Sequence, residues 1–197
     1  MCLYMTDFDI ITIILHELKM NDKYQNKYRI PSNRLKGYDY GARGCYYITI
    51  CTKNHEQYLG KIINGKMQLS ELGKIAKSEW LKTTELRPDM NLCLDEFVVM
   101  PNHFHCIIFI GDNQYNTDNI VNTNKFGNQT KNLASIIRGF KIAVTTYARK
   151  HNIDFAWQER FYDRIIHNNI GLENVRKYIF NNPANWNDDE LNENITS

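Results

Sequence analysis

Two apolar segments joined by a Pro-Asn pair constrain this chain more than any other feature. Residues 92–100 and His103–Ile110 are both rich in β-branched and aromatic side chains and read as strands. Pro101-Asn102 between them leaves room only for a turn. The pair is therefore predicted as a central antiparallel hairpin, with the second strand in the middle of a sheet. That second strand opens on His103-Phe104-His105. Residues two apart on a strand share a face, so both imidazoles stand side by side while Phe104 turns the other way, into a core. Two neutral imidazoles so placed make a platform for a divalent metal ion. The competing reading is that they only fill a half-buried sheet face.

The other segments fall around this hairpin. Residues 44–52 read as a strand, and residues 58–67 hold the turn signals Gly60 and Asn64-Gly65 of a short hairpin or loop. Residues 70–86 are predicted as a helix capped by Ser70 and ended by Arg87-Pro88. Residues 133–151 give a second helix, with Leu133, Ile136, Ile137, Phe140 and Val144 inward and Lys131, Arg138, Lys141, Arg149 and Lys150 outward. A short strand at 164–167 and a last helix at 172–182, stopped by Pro183, complete the set. The order β, α, β, β, α, β, α predicts an α+β fold: a ferredoxin-like split βαβ antiparallel sheet with helices packed on one face. Residues 1–40 read as an irregular basic arm, with a short helix possible at 8–20. Residues 111–129 read as a polar, Asn-rich loop, and the chain from Asn185 as an acidic tail that frays.

Composition narrows the class. The chain has 197 residues and a net charge of +2, so nucleic-acid binding would need a local basic patch rather than an overall field. Its five cysteines include no Cys-x-x-Cys, which suits a reducing, cytosolic setting. No run reaches the ~18 apolar residues of a membrane span, and the start lacks a basic leader and a cleavage site.

Two histidines alone do not complete a metal site. Tyr178 and Asn182 lie four apart on the last helix and share a face. Asn182 offers an amide oxygen suited to a hard ion such as Mg²⁺ or Mn²⁺, and Tyr178 a phenol directed at a substrate. The alternative is that Leu172, Val175 and Ile179 form the buried stripe, with Tyr178 a rim aromatic beside it.

Three motifs in order, Met100-Pro101-Asn102-His103-Phe104-His105, Trp157-Gln158-Glu159-Arg160-Phe161-Tyr162-Asp163 and Tyr178-Ile179-Phe180-Asn181-Asn182-Pro183, resemble the REP-associated tyrosine transposases. These are single-tyrosine HUH nucleases of the IS200/IS605-like group. The resemblance covers roughly residues 40–187, which divides the chain into an arm (1–40), an HUH single-tyrosine transposase domain (41–187) and a flexible acidic tail (188–197). It implies a domain that cuts single-stranded DNA near hairpins. By the same resemblance His103 and His105 match the HUH pair, Tyr178 the nucleophile on a C-terminal catalytic helix, and Asn182 the polar residue that completes a Mg²⁺ or Mn²⁺ site.

A phenol with a pKa near ~10 is a weak nucleophile at neutral pH, so it needs nearby positive charge, which a divalent ion supplies. Attack would leave a 5′-phosphotyrosine link that a second 3′-hydroxyl can reverse, giving strand transfer. Arg138, Lys141, Arg160 and Arg164 are candidates for the DNA backbone. Tyr162, with Trp157 and Phe161, is a candidate for stacking on bases, the alternative for all three aromatics being core packing. The expected partner is single-stranded or hairpin DNA, met by a monomer or homodimer. Two other classes stay open: a hairpin-binding protein without the reaction, and a metal phosphodiesterase that uses water.

Overall fold

The structure, a computed structural model, describes residues 38–116 and 130–192. The expectations for residues 1–37, for most of the 111–129 loop and for 193–197 lie outside the described residues.

Among the described residues, six strands and three α-helices follow in chain order. Strand β1 is Gly44–Cys51, β2 Gly60–Ile63 and β3 Lys66–Leu69, and helix α1 is Glu71–Leu81. Strands β4 (Leu92–Val99) and β5 (His103–Ile110) form the central hairpin, followed by helix α2 (Leu133–Lys150), strand β6 (Tyr162–Ile166) and helix α3 (Asn169–Asn181). The main sheet has the order β4-β5-β1-β6, with every pair antiparallel. Strand β5 is therefore hydrogen-bonded on both sides, as the hairpin reading requires. β2 and β3 form a separate two-stranded ribbon. Its turn residues Asn64 (φ 50°) and Gly65 (φ 70°) are both left-handed, the conformation a two-residue hairpin turn demands.

The helices begin where the sequence places caps. Ser70 Oγ accepts from the Gly73 amide (3.0 Å) and donates to the Tyr58 carbonyl (2.7 Å). Asn132 and Ser135 form a capping box at α2, and Asn168 accepts from the Gly171 amide at α3. Helix α1 stops at Leu81 rather than running to Leu86, because Thr83-Thr84 are β-branched and favour a turn over a further helical one. At Gly73 the helix presses on the chain before it: an added Cβ would sit 2.0 Å from the Leu59 carbonyl oxygen.

The core fills one face of the sheet. Phe104 meets Trp80 of α1 (5.4 Å between centroids) and Phe140 of α2 (5.2 Å), and Trp80 meets Phe140 (5.6 Å). The inward residues expected of α2 are all buried there. Trp157 belongs to the same cluster, against Phe140 and Phe155, so the core-packing alternative holds for it. One expectation is corrected. Helices α1 and α2 share a face, but α3 lies across the other. Strand alternation sends His103 and His105 away from Phe104, and α3 brings Tyr178 to that side. Among the described residues no helix is long and apolar enough to cross a membrane.

Candidate metal and tyrosine site

The site grows from the register of β1 on β5. Thr49 pairs with His105 and Tyr47 with Ile107, so Tyr47 and Thr49 stand on the histidine face. Both hydroxyls reach His105 Nδ1, each at 2.8 Å. A proton on Nδ1 given to either oxygen leaves Nε2 as a bare lone pair. That nitrogen lies 3.5 Å from the Tyr178 hydroxyl, at the outer edge of hydrogen bonding.

His103 is fixed more tightly. Asn102 Nδ2 donates to the Leu191 carbonyl (2.5 Å), which turns Asn102 Oδ1 toward His103 Nδ1 (2.8 Å). A carbonyl oxygen only accepts, so Nδ1 carries the proton and Nε2 presents its lone pair. His103 Nε2 is buried and has no hydrogen-bond partner, and the same is true of Asn182 Oδ1. Two orphaned buried acceptors on one face call for a donor or a cation. The two imidazole rings are 4.5 Å apart, and Tyr178 packs edge-on to His105 at 5.3 Å and to Tyr47 at 6.3 Å.

Burial sets the charge state. It pushes the His103 pKa down to about 4, against the opposing pull of Asp189 and Asn182. It holds His105 well below the ordinary imidazole value, with His103 adding to the effect. Both rings are therefore neutral at physiological pH, the form that ligates metals. Burial also raises the Tyr178 phenol; Asp189 adds to the rise, while hydrogen bonds from Asn182 and Tyr47 oppose it. The phenol is a proton-bearing group until positive charge arrives beside it.

Helix α3 is seated by Val175 and Ile179 and by an ion pair. Arg176 grips Asp95 through two bonds, Nε to Oδ1 (2.8 Å) and Nη2 to Oδ2 (2.6 Å). Asp95 sits in the bulge of β4 between Leu94 and Phe97, which turns its carboxylate to the helix. Asn182 caps α3 and is buried.

The predicted residues divide. His103, His105, Tyr178 and Asn182 come together. Tyr162 and Arg164 join their face, since they pair with Thr49 and Tyr47 across β1 and β6. Arg164 Nη1 is buried without a hydrogen-bond partner. Arg138 lies in the other layer, lining a recess along α2 with Arg149 and Phe161. Lys141 lines it too, but its ammonium group is engaged by the carbonyls of Gln158 (2.7 Å) and Arg160 (2.8 Å). Lys141 thus ties α2 to the segment that enters β6. Arg160 is exposed just before that strand.

Three residues at the site carry no sequence signal of their own, Tyr47, Thr49 and Asp189, and Asn102 signals a turn but not its grip on His103. The expected fraying tail is, through Asn192, folded back on the hairpin turn. Leu191 and Asn192 are buried, and Asn192 Nδ2 bonds the Trp186 carbonyl (3.0 Å). Trp186 lies 6.0 Å from the His103 ring. Among the described residues no three His, Cys, Asp or Glu side chains form a ready metal cluster. The donors present are two imidazoles, an amide oxygen and a carboxylate, a mixed set that suits a divalent ion of borderline to hard character.

The sheet order, the helix on its far face and the two-imidazole, one-phenol site define an α+β protein of a recognisable type. No family model matches the chain. It is 39% identical over 166 residues to an uncharacterized protein of Haemophilus influenzae, a match spanning 81% of this chain and 91% of that one, and it belongs to the same family. Its fold is similar to that of a REP-associated tyrosine transposase solved bound to a REP hairpin. The TM-score is 0.50 at 18% identity, over 81% of this chain and 74% of the other.

Proposed function

We propose that this protein nicks single-stranded DNA at hairpins and transfers strands through a phosphotyrosine on Tyr178. The observation that carries the reading is one constellation: the Tyr178 hydroxyl, His105 Nε2, and the orphaned acceptors His103 Nε2 and Asn182 Oδ1, gathered on the sheet face opposite the core. A pure binding module has no need of a buried phenol beside two neutral imidazoles. The fold shared with a transposase bound to a REP hairpin supports the same substrate class.

His103, His105 and Asn182 would hold a Mg²⁺ or Mn²⁺ ion. When bound, that ion polarises the scissile phosphate and lowers the phenol pKa. Thr49, Tyr47 and Asn102 fix the two rings so that their remaining nitrogens face the site. Helix α3 positions the Tyr178 oxygen. The phenol gives its proton to water, its oxygen bonds to phosphorus, and the bond from phosphorus to the 3′ oxygen breaks; that oxygen takes a proton back from water, leaving a free 3′-hydroxyl and a 5′-phosphotyrosine. Attack by another 3′-hydroxyl runs the step in reverse and joins strands. Arg164 and Tyr162, on the same face, serve the DNA backbone and bases.

The test is a denaturing gel of protein with 3′-labelled single-stranded hairpin DNA, with and without Mn²⁺. The expected result is a metal-dependent covalent band that is absent in Tyr178→Phe. Cleavage without an adduct that survives in Tyr178→Phe would instead make the protein a water-using phosphodiesterase.

A further inference from the structure

We infer that Asp189 is an anionic ligand of the same metal ion, supplied by the chain after it leaves α3. The inference rests on the metal reading above and adds a residue to it. Asp189 Oδ2 lies 3.9 Å from His103 Nε2 and accepts from Asn182 Nδ2 at 3.2 Å. Its other oxygen accepts from the Leu191 amide at 2.8 Å, and the side chain is only 7% exposed. A buried carboxylate is costly unless a positive charge answers it. Among the described residues no Lys or Arg pairs with Asp189; its one ion-pair neighbour is the buried His103.

The groups around Asp189 are built for a cation rather than a proton. His103 Nε2 and Asn182 Oδ1 are both buried acceptors with no donor to receive. The 3.9 Å separation is within the span of about 4.2 Å that two donors each about 2.1 Å from one ion can have, so a single ion can reach both atoms. The placement is also held. Asn102 bonds the Leu191 carbonyl with one end of its amide and orients His103 with the other. One side chain thus sets the histidine and anchors the segment that brings Asp189. With Asp189 the set becomes two imidazoles, an amide oxygen and a carboxylate, and the bound divalent ion keeps a net charge of +1 for the substrate phosphate.

Mn²⁺ binding by isothermal titration tests this, with thermal melts in EDTA to establish that each variant folds. Wild type should bind one Mn²⁺ and His103→Ala none. Asp189→Asn keeps the shape and loses the charge, and should bind at least about 10-fold more weakly, the lower end of what disturbing even an outer-shell partner costs. Wild-type affinity in Asp189→Asn, with binding lost in His103→Ala, would overturn this inference and leave the metal reading intact. No Mn²⁺ binding by wild type would overturn both. A measurement on wild type alone covers the case in which the variant does not fold: the Asp189 side-chain carboxylate ¹³C resonance should shift on adding Mg²⁺, and an unmoved resonance would overturn the inference.

Discussion

Asn102→Ala isolates the clip at the hairpin turn. The substitution leaves the backbone in place, including the Asn102 carbonyl that accepts from Thr52 N (2.8 Å) and Thr52 Oγ1 (2.9 Å). It removes two side-chain bonds, from His103 Nδ1 at 2.8 Å and to the Leu191 carbonyl at 2.5 Å. The site is closed to solvent: Asn102 is 1% exposed, His103 0% and Leu191 6%. Each buried group left without its partner costs about 1–3 kcal/mol, so the two together should cost about 2–6 kcal/mol. For a chain of this size that is a fall in Tm of roughly 10 °C. Urea denaturation of metal-free protein measures the loss, and ¹⁵N NMR of the imidazoles reads the tautomer of His103, which should no longer be held with its proton on Nδ1. A loss below about 1 kcal/mol with the tautomer unchanged would refute the argument, because neither bond would then be holding the ring.

Two further outcomes follow from the geometry. Gly73→Ala should destabilise by about 1–3 kcal/mol in urea, although alanine is favoured over glycine in a helix by about 1 kcal/mol, because the new Cβ meets the Leu59 carbonyl at 2.0 Å; a stabilised variant would refute the close approach. The histidines set a pH dependence of known sign. Unfolded they titrate near ~6.5, whereas burial holds His103 at about 4 and His105 well below its usual value, so on acidification the unfolded chain takes up protons that the folded chain refuses. Stability present above pH ~6.5 is therefore lost as pH falls toward about 4, and the urea midpoint of metal-free protein should be lower at pH 5 than at pH 7.5. Equal midpoints would show that the rings are not buried neutral.

The central hairpin, the caps at Ser70 and the inward stripe of α2 were legible because each is written in local spacing: alternation for strands, a three-to-four repeat for helices, a small polar residue at a boundary. Spacing also set His103 with His105 on one strand face and Tyr178 with Asn182 on one helix face, while the meeting of the two pairs was implied by the resemblance to the REP-associated tyrosine transposases. What local spacing does not encode is which element lies beside which. Tyr47 and Thr49 become partners of His105 only through the β1–β5 register, fixed by contacts more than fifty residues apart in sequence. The side of the sheet that α3 takes is equally non-local. Asp189 sits among other acidic and amide residues, and its segment is anchored through the Leu191 carbonyl, a group every residue carries. Lys141 has the spacing of an outward residue, yet its long stem lets the ammonium reach back to two carbonyls.

Strand β5 has neighbours on both sides and is almost wholly buried, so its amides open only when the whole sheet does. Helix α3 rests on two buried apolar side chains and the Arg176–Asp95 grip. The two halves of the site therefore belong to different cooperative units. Amide exchange should be slowest at His103 and His105 and markedly faster around Tyr178. Mild denaturant should release Tyr178 from its place while the two imidazoles still stand in register.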